Sequence, residues 1–239
     1  MPSFDSMIAI LTGETPRLPK VTYYVSSPIS PARDLYMTHQ ESPLCGSGNF
    51  KSIICYHKDQ AAIISLLNRM WILTRNFEFT YQTFDPSVEP LGPIVPFVER
   101  PQSDYNTALL TLPLLSRCTN TTHNHLLETL QSASLLYSRI LTCPPIDFPS
   151  TQNEVVFQQL CTAFSKCSDD DFWISYPGIL LWILLIGTAS ARGKTSSAFW
   201  MFYLSRTGNF SNAESWLTGT AAVRKFLDIQ SWIRENRGL

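Results

Sequence analysis

The sequence is short of charge. Only 15% of its 239 residues are charged, 18 basic against 19 acidic, where a globular chain usually carries about a quarter. Phosphate contacts supply most of the non-specific affinity of DNA-binding proteins, and a chain with no basic excess starts without them. Direct binding to nucleic acid is therefore not expected. Metal-ligand spacing is also lacking. Cys45, Cys55, Cys118, Cys143, Cys161 and Cys167 contain no CxxC pair and have no companion histidines at zinc spacing. No GxSxG elbow, HExxH helix or dinucleotide fingerprint occurs. Accordingly no catalytic residue, cofactor-binding residue or metal ligand is assigned, no cofactor is expected, and the chain reads as a non-enzyme. The N-terminal stretch MPSFDSMIAILTGETPR has neither a basic leader nor a long apolar run. Without a secretory signal, the thiols are expected to be reduced in an intracellular compartment.

What the chain does have is apolar mass: 44% hydrophobic residues, enough for a substantial core. The densest run is SYPGILLWILLIGTASARGKTSSAFWMFY, from Ser175 to Tyr203. Between Ile179 and Ala191 only Gly187, Thr188 and Ser190 interrupt its apolar character, so a helix here has no polar face and must be enclosed. Ser175 as cap, Pro177 in the first turn and Arg192-Gly193 at the end predict a buried central helix over about 177–192. A second helix, about 195–206, carries Phe199, Phe202 and Tyr203 at i, i+3, i+4 spacing and is expected to pack on the first as a hairpin.

The same run admits two other readings. Asp171 and Arg192 enclose twenty uncharged residues, about the length that crosses a bilayer. Pro177-Gly178 leaves about fifteen of them helical, roughly 22 Å against a hydrocarbon core of about 30 Å. A small membrane-associated protein anchored by residues 174–191 is thus the alternative, alongside an enzyme of unrecognised class. A phosphate loop requires four residues between its first glycine and the Gly-Lys pair, whereas five separate Gly187 from Gly193-Lys194.

Residues 1–56 hold Pro2, Pro16, Pro19, Pro28, Pro31 and Pro43 among many Ser and Thr, and predict an irregular arm draped on the surface, with Tyr23, Tyr24 and Val25 as an extended contact. The helical domain, 57–239, begins with a helix over about 59–76, capped by Asp59 and faced by Ile63, Leu66, Leu67, Met70, Trp71 and Leu73. Pro86, Pro90, Pro93, Pro96 and Pro101 then mark a connecting loop that is the candidate mobile edge of a binding surface. A short helix is expected at 104–113 and a strong one at 126–141, with His123 and His125 as polar residues before it. Asn153 caps a helix over about 154–165, and Asp169, Asp170 and Asp171 fit a turn. Ser211-Asn212-Ala213-Glu214 is a capping box. It opens a helix with Trp216, Leu217, Ala221, Val223, Phe226 and Leu227, followed by a final segment through Ile229, Trp232 and Ile233. The fold class is all-α: an irregular bundle of about seven helices around the 177–192 helix.

The order ALLTLP, LLETLQSASLLYSRIL, PGILLWILLIGTASA, SAFWMFYL and ESWLTGTAAVRKFLDIQSW, spanning about 106–232, resembles the C-terminal regulatory region of fungal zinc-cluster transcription factors. The elements that carry it are Leu135-Leu136-Tyr137, the tryptophan helix with Trp182, Gly187, Ala189 and Ala191, and the aromatic helix that follows. The family's compact six-cysteine head is missing, and Ser196-Ser197 stand where an Arg precedes the aromatic helix. The resemblance implies a nuclear, or else cytoplasmic, regulator that binds proteins as a homo- or heterodimer, or senses a ligand, without touching DNA itself. It implies either a headless relative or the tail of a longer chain.

Overall fold

A computed structural model of the chain describes Ala9, residues 42–45, Gly48 and residues 50–53, 60–82, 121–142, 147–167, 170–207 and 213–237. These residues form seven α-helices and no strand: α1 Gln60–Gln82, α2 Thr121–Thr142, α3 Glu154–Lys166, α4 Asp170–Ser175, α5 Pro177–Ser190, α6 Ser197–Thr207 and α7 Ala213–Arg237. The fold is all-α, as the recurring 3.6-residue stripes require. The expected helix at 104–113, the proline loop at 86–101, Tyr23 to Val25, Asp59, Ser211 and Asn212 lie outside the described residues.

The helix without a polar face is the one the others enclose. α5 contacts α2, α3, α4, α6 and α7, and every residue from Trp182 to Ala191 is buried. Its start differs from the expectation. Ser175 is the last residue of α4, and the N-cap is Tyr176, which makes no side-chain cap bond. Asp170 and Asp171, expected in a turn, instead open a six-residue helix, Asp170–Ser175. Phe172, Trp173 and Tyr176 explain the change: all three are buried, and Tyr176 N–H donates to the Phe172 carbonyl. At its other end α5 stops at Ser190, and the reversal that follows uses Gly193 at φ 72°, a conformation that glycine adopts without steric cost.

α1 and α2 pack against each other and share one buried polar contact. Thr74 Oγ1 donates to the Met70 carbonyl at 2.9 Å, so the Tyr137 hydroxyl, 2.9 Å away, donates to Thr74. Burial holds the Tyr137 phenol protonated, well above its ordinary range. The Tyr137 ring in turn meets Trp182 edge-on at 5.8 Å, linking α2 to the central helix. α1 runs beyond the expected residue 76 because Phe77 is buried against Trp232 at 5.2 Å and Glu78 accepts from Arg75 and Lys225. α2 likewise starts earlier than expected, which places His125 inside its first two turns, where it pairs with Glu128 at 3.0 Å.

Asn153 stands at the N-cap of α3, as expected, but its side chain does not cap. A 3-10 turn, Thr151–Asn153, precedes the helix; Ser150 Oγ caps that turn by accepting from Gln152 N–H, while Asn153 Nδ2 donates to the Asp147 carbonyl. α7 is one continuous helix of 25 residues rather than a helix and a separate final segment. Val223, Phe226, Ile229 and Ile233 keep one stripe buried along it. The N-terminal stretch gives a further correction. Among its described residues Lys51 is exposed, but Leu44, Phe50 and Ile53 are buried in the core rather than draped on the surface, and Gln60 Nε2 at the start of α1 donates to the Ile53 carbonyl at 2.7 Å. Proline and serine content favours irregular backbone but does not decide whether interspersed large apolar residues are buried.

Candidate protein-binding surface

α6 is apolar on two sides. Phe199, Trp200, Met201, Phe202, Tyr203 and Leu204 leave it no room for a polar face over nearly two turns, so only one of its stripes can be buried against α5. Trp200 and Leu204, at i and i+4, are fully buried. Gly187 selects the tryptophan. A Cβ there would collide with the six-membered ring of Trp200, so the absence of a side chain lets the indole lie directly on the α5 backbone. The sequence expectation that Phe199, Phe202 and Tyr203 form the hairpin interface is therefore corrected. Phe199 is half-buried, Phe202 is 55% exposed and Tyr203 37% exposed.

The outward rings form a connected set. Phe199 and Tyr203 lie 4.9 Å apart, Phe202 and Tyr203 5.6 Å, and Arg206 covers the Phe202 ring with its guanidinium 5.5 Å from the centroid. Phe164 of α3 supports them from below, touching Phe199 at 6.1 Å, Trp200 at 5.1 Å and Tyr203 at 5.3 Å. Trp173 of α4 packs on the same Phe164, and the next residue, Ile174, is 69% exposed. Phe199 and Tyr203 are thus held by core contacts, while Phe202 rests on Tyr203 and under Arg206.

The other sequence candidates are put to structural use. Gly187 lies inside α5 rather than in a loop, and Lys194 Nζ reaches Glu154 Oε2 at 2.6 Å while lying 4.3 Å from the Phe157 ring centroid. Neighbouring Arg192 pairs with Asp147. Together these pairs fasten the α5–α6 turn to the start of α3. The Gln158 amide and then Lys194 hold the Glu154 carboxyl below its ordinary range. Among the described residues no cluster of three metal-ligating side chains occurs, and no helix is long and apolar enough to cross a membrane. Cys161 is a free thiol, half-buried, and burial pushes its ionisation up, against the neighbouring Trp200 indole. That direction opposes nucleophilic chemistry. On α7, Lys225 is paired with Glu78 at 2.6 Å, and Phe226, Leu227 and Ile233 are buried, as the interleaved apolar pattern requires.

Sequence reasoning named the aromatic residues of α6 but assigned them to the wrong side. The available signal was Gly187, since a helical glycine facing a hairpin partner calls for a broad flat ring, and Trp200 is the broadest on α6. Comparison of the chain with protein-family models, with curated proteins and with solved structures finds no match.

Proposed function

We propose that the chain is a non-enzymatic helical regulatory module, of the kind the C-terminal region of fungal zinc-cluster transcription factors provides, acting in the nucleus or cytoplasm through protein contacts. The observation that carries this reading is the α6 ridge, in which Phe202 and Tyr203 are exposed while their neighbours are anchored in the core. Exposed aromatics beside an arginine are the residue types that dominate protein interfaces. The low charge of the whole chain supports the same reading, because it leaves apolar surface for a partner. Regulation of transcription then runs through a bound protein, and DNA contact belongs to that partner or to another domain.

The test is a reporter assay with the full chain fused to a heterologous DNA-binding domain. Replacing Phe202 and Tyr203 with alanine is expected to abolish the effect on reporter output at unchanged protein level. Output indifferent to these changes would remove α6 from the mechanism. A polarisation titration against random-sequence duplex is expected to show no binding at physiological salt. Micromolar affinity there would overturn the claim that DNA contact is indirect.

A further inference from the structure

We draw no further inference here: the strongest candidate, the exposed aromatic stripe of α6 formed by Phe202 and Tyr203, belongs to the surface already described, and nothing in the structure shows what covers it.

Discussion

α5 and α6 are neighbours in one hairpin and are built from similar residues, yet one is enclosed on every side and the other is only half covered. α5 has the whole bundle around it, from α2 to α7. Among the described residues α6 has α5 on one side and the edge of α3 below, and its second apolar stripe is exposed. The difference teaches that apolar content alone does not separate core from contact surface. What separates them is how many elements the topology places around a helix, and a helix late in the hairpin has fewer neighbours available.

The strongest way to break this comparison is to hollow out its enclosed half. Trp182 is fully buried and meets Tyr137 edge-on, so Trp182→Ala is expected to lower unfolding free energy by about 3–5 kcal/mol. Its Nε1 has no hydrogen-bond partner among the described residues. Trp182→Phe should therefore cost much less, because it removes an unpaired donor along with part of the ring. Denaturant titrations of the two variants check the pair. Equal losses would show that the indole N–H makes a bond that the ring contact hides.

The next effect lies at the contact between the two helices. Gly187→Ala brings about 0.5–1 kcal/mol of helix propensity, but the new methyl meets the fixed Trp200 ring. Overpacking of this kind costs about 1–3 kcal/mol, so net destabilisation is expected. A second change, Trp200→Leu, should reverse the sign of the alanine effect by opening space beside it. A double-mutant cycle by thermal unfolding measures that coupling, and additive effects would show that the helices are not in direct contact there.

Much of the enclosed half was legible in the sequence, because an all-apolar run bounded by Pro177 and Gly193 has only one stable environment in a protein. The helices α1, α2, α3 and α7 were legible from stripes such as Val156, Phe157, Leu160 and Phe164. The ridge was not, because two stripes of α6 are equally apolar and periodicity cannot rank them. α4 was missed for a related reason: Asp169 to Asp171 look like a turn, and the burial of Phe172, Trp173 and Tyr176 that makes the segment helical is a tertiary effect. Burial of Leu44, Phe50 and Ile53 is tertiary too. A proline-rich stretch gives no local sign of which apolar residues it delivers to a core.

A smaller effect tests the fastening of the α5–α6 turn to α3. The Glu154 carboxyl is held below its ordinary range by Gln158 first and Lys194 second, at 2.8 and 2.6 Å. As pH falls, the unfolded chain takes up the proton before the folded one does. The stabilisation is therefore complete above the ordinary carboxylate pKa and is lost below about pH 4. Both partners are partly exposed, with side-chain accessibilities of 20% and 42%, so the pair is worth less than about 1 kcal/mol. Melting temperatures of wild type and Glu154→Gln should differ slightly at neutral pH and converge in acid. A gap that widens in acid would reverse the assigned sign.

The smallest effect on stability, and the sharpest separation of the two helices, is expected from Phe202. Its ring is 55% exposed and its contacts are Tyr203, beside it on the same helix, and the Arg206 guanidinium. Phe202→Ala removes a ring that is more than half exposed and leaves Trp200, Leu204 and Phe164 in place, so unfolding free energy should move by no more than about 0.5 kcal/mol. Trp200→Ala, two residues away, removes a ring that is 0% exposed and should cost about 3–5 kcal/mol. Chemical denaturation of these two variants measures the difference between adjacent faces of one helix. Similar losses would mean that the outward stripe is covered by another part of the chain, and the ridge would then belong to the core rather than to a partner.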